Sequence, residues 1–310
     1  MEFEQELKNK VSEAESVIKS YMPDVIDMQH TVLEAMEYTI SAGGKRIRPV
    51  LMKACYDMLG GNDKLIEPFM AAIEMIHTYS LIHDDLPALD NDDYRRGRKT
   101  AHVVYGEAMA IIAGDGLLNY AYETASKAFL MIDEADIDDV AGVKEEITKR
   151  KRVEKAMSIL ARNPGVYGMI GGQVVDVELT GQTLSKEQLE YIYNNKTGAL
   201  IEAAMTIGAV LAGATDELVD KISKTAYNIG MAFQIQDDIL DETATFEELG
   251  KPIHSDQDSG KVTYVTIHGM DEARDKVKSL SESAIDTINE LKGDGEFLKE
   301  LVKFLIHRKN

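Results

Sequence analysis

Two dense carboxylate clusters carry the chemistry that this sequence can do. The first reads Asp84-Asp85-Leu86-Pro87-Ala88-Leu89-Asp90 and runs on into Asn91-Asp92-Asp93. The second reads Asp237-Asp238-Ile239-Leu240-Asp241. Each closes a long apolar helical pattern instead of sitting in a polar loop. Carboxylates this close together repel, and unpaired charge in an apolar setting is costly. A hard divalent cation relieves both problems. An all-oxygen donor set suits Mg²⁺, which keeps waters and completes its shell with substrate phosphates. The pattern therefore predicts a Mg²⁺–diphosphate site held between two helices.

The residues around each cluster sharpen that expectation. On a helix, His77, Leu81 and Asp84 lie along one stripe. Pro87 should end the regular helix, so that Asp90 folds back toward the same cation. Downstream, Tyr94-Arg95-Arg96-Gly97-Arg98 sets arginines beside the carboxylates, a pairing suited to metal and phosphate together. The bland reading is a solvated loop of mixed charge. In the second cluster Asp237 and Asp241 share a helical face at i, i+4, with Gln234 on the same side. Within an apolar segment they call for a partner; the bland reading is a charged helical face. Upstream, Gly43-Gly44 is followed by Lys45-Arg46-Ile47-Arg48. Positive charge is disfavoured at a helix N-terminus, so this basic run needs a reason.

The elements that must position these groups are helical nearly throughout. Apolar residues recur at three- and four-residue steps over 3–21, 23–41, 48–59, 65–83, 108–131, 153–160, 185–212, 216–241, 270–291 and 295–307. Val174 to Leu179 is short and ambiguous, and the charged stretch 131–154 reads as a solvated loop or an exposed helix end. Ser185 with Gln188 marks a helix start. With 310 residues, 44% of them hydrophobic, the chain can bury a sizeable core, and no linker divides it. A single domain over 1–310 is expected. The lone cysteine, Cys55, can form no internal disulfide, which fits a reducing, cytoplasmic setting and a small buried hydrophobe. The acidic opening segment has no leader-like apolar core. The weakly polar run from Gly198 to Thr215 reads as a buried helix, with no stable membrane insertion expected. A net charge of −20 disfavours nucleic-acid binding. Handling a diphosphate at that charge requires metal ions or locally concentrated basic residues.

These motifs identify the chain as similar to the trans-isoprenyl diphosphate synthase (polyprenyl synthetase) family, most closely its bacterial farnesyl diphosphate synthases. The match rests on Gly43-Gly44-Lys45-Arg46-Ile47-Arg48-Pro49, the run from His77 through Gly97, and Gly171-Gly172-Gln173-Val174-Val175-Asp176. It continues through Lys196-Thr197, Phe233-Gln234 with the second cluster, Gly250-Lys251-Pro252 and Gly260-Lys261. The resemblance implies an all-α fold: a single large helical bundle of the isoprenoid synthase type, with a central cavity between two Asp-rich helices. It implies head-to-tail coupling of isopentenyl diphosphate to an allylic diphosphate by ionisation, condensation and elimination. Its cofactor would be Mg²⁺, three ions per substrate-loaded site, with Mn²⁺ as the substitute. Asp84, Asp90 and Asp237 would be the direct metal ligands, supported by Asp85, Asp238 and Asp241. Arg95, Lys196 and Lys261, with Lys251, would hold the allylic diphosphate. Thr197 and Gln234 would lie near the developing cation. Gly44, Lys45, Arg48, His77 and Arg96 would hold isopentenyl diphosphate. Gln173 and Asp176 would mix structural and supporting roles, and Arg308 and Lys309 would belong to a closing basic tail. A homodimer through mid-chain helices, here the one from Ala108, is also implied. No role is assigned to His254, Asp256 or Asp258.

Product length follows from what stands upstream of the first aspartates. Tyr79, five residues before Asp84, would floor an apolar tunnel, while small Ser80 lies nearer the Asp84 stripe. Members that form the C15 product carry an aromatic at the former place, which favours farnesyl over geranylgeranyl diphosphate. Two other classes remain. A class I terpene cyclase needs aromatic rings to guide carbocations, but aromatics here are 6% and Trp is absent. A non-catalytic partner subunit should have lost metal ligands, and none is missing.

Overall fold

A computed structural model describes residues 2–134, 138–243 and 262–307. Its helices are α1 (Glu2–Tyr21), α2 (His30–Ile40), α3 (Ile47–Met58), α4 (Glu67–Asp84), α5 (Ala101–Tyr105), α6 (Glu107–Leu130) and α7 (Val140–Arg162). There follow α8 (Met169–Glu178), α9 (Lys186–Ile192), α10 (Ala199–Ala212), α11 (Asp216–Thr243), α12 (Tyr264–His268), α13 (Met270–Glu290) and α14 (Glu296–His307). A π-helical turn, Tyr193–Gly198, joins α9 to α10. Among the described residues the only strands are β1 (Tyr94–Arg95) and β2 (Arg98–Lys99), an antiparallel pair with Arg95 opposite Arg98. The expected all-α class holds.

The chain forms two compact units. One comprises residues 1–53 and 61–158, the other 54–60 and 159–310. The boundaries after 53 and 158 fall inside α3 and α7, not in loops.

In the first unit α4 is the central helix. It is buried without a break from Pro68 to Ile76, so it must be wrapped on all sides. α1, α2 and α6 pack against it. Two interior glycines on α6 make room. A Cβ at Gly114 would stand 2.1 Å from the His83 ring, and one at Gly116 would stand 3.1 Å from Met36 Sδ. In the second unit α10 is buried at nearly every position from Ala199 to Leu211 and packs on α11, which α13 and α14 also cover. No described helix is long and apolar enough to cross a membrane. Cys55 is buried, and burial pushes its thiol up to about 12, which keeps it protonated.

Three sequence expectations change. Helix was expected from Pro23, yet α2 begins at His30, and Asp27 adopts φ 59. Val25, Ile26 and Met28 stay exposed, so no buried face stabilises a helix there. The ambiguous stretch Val174 to Leu179 is helical up to Glu178. The charged segment expected as loop or helix end is mostly α7. Glu145–Lys149 at 2.9 Å and Glu146–Arg150 at 2.7 Å hold it through i, i+4 pairs.

Candidate active site

In the first unit, Asp84 is the last residue of α4 and Asp85 caps it. The turn through Pro87 brings the Asp90 nitrogen 2.9 Å from the Asp84 carbonyl oxygen, so the main chain doubles back onto the end of α4. Asn91 then takes φ 53, and the chain enters the β1–β2 hairpin. Its two-residue loop is Arg96-Gly97 with φ 52 and 73, the positive pair that matches strand twist in a tight hairpin. This hairpin delivers two arginines to different partners. Arg95 places Nε 2.7 Å and Nη2 2.6 Å from one oxygen of buried Asp85, with Asp92 at 3.7 Å. Arg96 donates from Nη1 to the Gly43 carbonyl. Gly44 takes φ 136, a conformation that side-chain-bearing residues rarely adopt, and the Arg96 guanidinium lies over the place a Cβ would take.

The basic run splits by function. Arg46, at φ 48 and 5% exposed, is an internal clamp. It bonds Glu74 at 2.8 Å and the Ile40 carbonyl at 2.6 Å. Lys45 is exposed. Arg48 buries an Nε with no hydrogen-bond partner. Burial lowers its guanidinium to about 10; Glu74 opposes that shift and Arg96 adds to it. It still carries its proton at neutral pH. Half-buried His77 is held well below its ordinary range, first by burial and then by Arg48, Arg96, Arg95 and Arg46. Arg48 and Arg96 make no ion pair among the described residues. Positive charge therefore collects here in a chain of net charge −20. Deeper along α4, Tyr79 is 6% exposed, with its phenol raised to about 12 by burial and then by Tyr122 and Asp84. Ser80 turns its hydroxyl back to the His77 carbonyl at 2.9 Å.

In the second unit the π turn is the organising feature. The periodicity predicts one helix over 185–212, while the family resemblance implies a break or bend at Lys196-Thr197; the structure widens the helix across both. Glycines from two other helices permit it. A Cβ at Gly172 would lie 2.2 Å from the Lys196 backbone nitrogen, and one at Gly230 would lie 3.1 Å from Gly198 Cα. Lys196 Nζ reaches Asp176 at 2.6 Å, and the Thr197 hydroxyl donates to Gln234 Oε1 at 2.9 Å. Gln173 is half-buried on α8. Asp237 is half-buried, whereas Asp238 and Asp241 are buried. One oxygen of Asp238 accepts from the Tyr193 hydroxyl at 2.5 Å and from the Tyr264 N–H at 2.8 Å. A cavity of about 200 Å³ opens among Asp176, Lys196, Thr197, Gln234, Asp238 and Thr263. Sequence reasoning missed Tyr193. The available signal was a tyrosine in an apolar segment, whose hydroxyl must find a partner when buried.

Among the described residues no three His, Cys, Asp or Glu side chains cluster closely enough to hold a metal by themselves. Lys251, Lys261, His254, Asp256, Asp258, Arg308 and Lys309 lie outside the described residues.

The polyprenyl synthetase family model matches residues 29–302. A farnesyl diphosphate synthase from Geobacillus stearothermophilus is 39% identical, covering 98% of this chain and 97% of that protein. A geranylgeranyl diphosphate synthase from Cyanophora paradoxa is 40% identical, covering 90% and 88%. A solved geranyltransferase from Helicobacter pylori, complexed with magnesium and isoprenyl diphosphate, superposes with TM-score 0.79 at 31% identity over 97% of this chain and 95% of that one. The matched span takes in residues 43–48, 94–99 and 193–198, and the chain belongs to the polyprenyl synthetase family of prenyl diphosphate synthases.

Proposed function

We propose that this chain couples isopentenyl diphosphate head to tail with dimethylallyl and then geranyl diphosphate, stopping at farnesyl diphosphate. The observation that carries the reading is the arginine pair Arg48 and Arg96 beside His77, which makes no ion pair among the described residues. A diphosphate supplies an anion through charge-assisted hydrogen bonds. A cyclase, which binds one diphosphate, has no use for such a second anion site.

Asp84, Asp90 and Asp237 would hold Mg²⁺. The donors are oxygens only, and the Asp90–Asp84 main-chain bond keeps two carboxylates on one turn. Mg²⁺ takes one or two carboxylates per ion and completes its shell with phosphate oxygens and water. Asp85 and Asp238 are already engaged by Arg95 and Tyr193, so their support would be indirect; Asp241 would support Asp237 from the same α11 face at i, i+4. Bound Mg²⁺ would stabilise charge on the departing diphosphate. Arg95 and Lys196, each oriented by a carboxylate, would bind the allylic diphosphate, joined by Lys251 and Lys261. Its C–O bond breaks with the electron pair leaving on the diphosphate oxygen. Lone pairs on Thr197 and Gln234 would face the positive charge that remains. The homoallylic double bond attacks, and the proton lost passes to released diphosphate, so no side-chain base is needed.

Tyr79 would end elongation at C15. A C20 endpoint is the second reading, favoured by small Ser80 and by the Cyanophora relative's name. Radiolabelled isopentenyl diphosphate with each allylic primer, with and without Mg²⁺, tests all of this. We expect farnesyl diphosphate by chromatography and no turnover after chelation. A C20 product selects the second reading, and no elongation sinks both. Exposed Val103, Val104, Ile111 and Ile112 on α5 and α6 suit a second copy of the chain. Sedimentation should then give a dimer.

A further inference from the structure

We propose that His83 helps set the product endpoint by bracing Tyr79, and that Gly114 is the seat that makes the brace fit. The proposal rests on Tyr79 being the floor of the elongation tunnel. Tyr79 and His83 stand at i, i+4 on α4, where side chains meet on one face. Their rings pack edge-on, with centroids 5.7 Å apart and planes at 82°, a favourable aromatic geometry. The imidazole is held from its other side by α6. His83 Nε2 lies 3.1 Å from the Ile111 carbonyl. A carbonyl only accepts, so Nε2 carries the proton, and this bond fixes the ring's rotation.

One turn along α6, Gly114 completes the seat. A Cβ there would stand 2.1 Å from His83 Nε2 and 2.5 Å from Cδ2. An interior glycine costs a helix about 1 kcal/mol relative to alanine. Its presence in the middle of α6 marks a packing demand, and the His83 ring is that demand. Displacing the ring frees Tyr79 to change rotamer and lets the floor recede. His83 also precedes Asp84, so positioning that carboxylate is the competing role. The two roles differ in what they move. A brace moves product length, whereas carboxylate positioning moves the Mg²⁺ dependence.

The test compares product distributions and Mg²⁺ half-saturation for Tyr79→Ala, His83→Ala, Gly114→Ala and the His83→Ala/Gly114→Ala double variant. His83→Ala and Gly114→Ala should each raise the share of products longer than the wild-type endpoint, on the order of two- to tenfold for one lost aromatic contact. Mg²⁺ half-saturation should hold. In the double variant Gly114→Ala should add no further lengthening, because its collision partner is gone. If Gly114→Ala fails to fold, His83→Ala, which only deletes atoms, still carries the test. Lengthening by Tyr79→Ala alone overturns the brace and leaves the floor standing. An unchanged endpoint in Tyr79→Ala removes the floor itself, and the brace with it. A shifted Mg²⁺ half-saturation at constant product length assigns His83 to Asp84 and also overturns the brace.

Discussion

On α4 and its hairpin, charge is held by charge. Arg95 sits on Asp85 and Arg46 on Glu74, and beyond those pairs Arg48 and Arg96 remain without an ion-pair partner among the described residues. Around the π turn one ion pair, Lys196 on Asp176, sits among close packing and neutral donors. Gly172 and Gly230 admit the wide turn, Thr197 leans on Gln234, and Asp238 accepts two neutral donors. The first region stores electrostatic potential; the second stores geometry. Damage to the first should therefore appear in the affinity for an anion. Damage to the second should appear in turnover and stability together.

The largest effect expected is from Gly172→Ala. The added methyl meets backbone, Lys196 N at 2.2 Å and Lys196 Cα at 2.8 Å, so no rotamer change relieves it. Either α8 or the π turn must move, and Lys196 and Thr197 move with it. A misplacement near 1 Å lowers kcat by about a hundredfold, and overpacking of this kind lowers stability by about 1–3 kcal/mol. Steady-state kinetics and a thermal melt read both. A raised KM at unchanged kcat would break the contrast between the regions.

Arg48→Gln should do the reverse. Losing charge-assisted bonds to a phosphate, about 1.5–3 kcal/mol, raises KM for isopentenyl diphosphate on the order of tenfold to a hundredfold. Melting should stay level or rise, because the substitution removes a buried donor that has no hydrogen-bond partner. A lower melting temperature with unchanged KM would make Arg48 another internal clamp like Arg46.

What was legible in the sequence was local. Helical periodicity located most spans, Pro87 foretold the return of Asp90, and Ser185 with Gln188 forms the capping box that the spacing implied. The break at Lys196-Thr197 came only from the family resemblance, against a periodicity that runs on to 212, and its π geometry was not expected. That geometry depends on glycines at 172 and 230, on helices distant in sequence. The division of the basic run was hidden for the same reason. Arg46 reads like its neighbours until Glu74, 28 residues away, claims it. His83 and Gly114 form another such pair, in which a glycine has meaning only through the ring it admits.

His77 gives the smallest and most specific test. Burial and four guanidiniums hold its folded-state pKa well below the ordinary value. In the unfolded chain the ring titrates near 6.5. Between that value and the lower folded one, the unfolded state carries the extra proton, so stability rises with pH across the window and is fully present above it. Acidification below pH ~6.5 should therefore cost up to about 1.4 kcal/mol per pH unit, and His77→Gln should remove that component. Inorganic diphosphate seated on Arg48 and Arg96 would put negative charge beside the ring, raise its folded-state pKa and narrow the window. The pH slope of the wild-type protein should then flatten when diphosphate is present, independently of the stabilisation that binding itself brings. Denaturant melts from pH ~5 to 7 measure both slopes. If wild type and His77→Gln run parallel without diphosphate, the imidazole does not feel the cations, and the electrostatic half of the contrast loses its sensor.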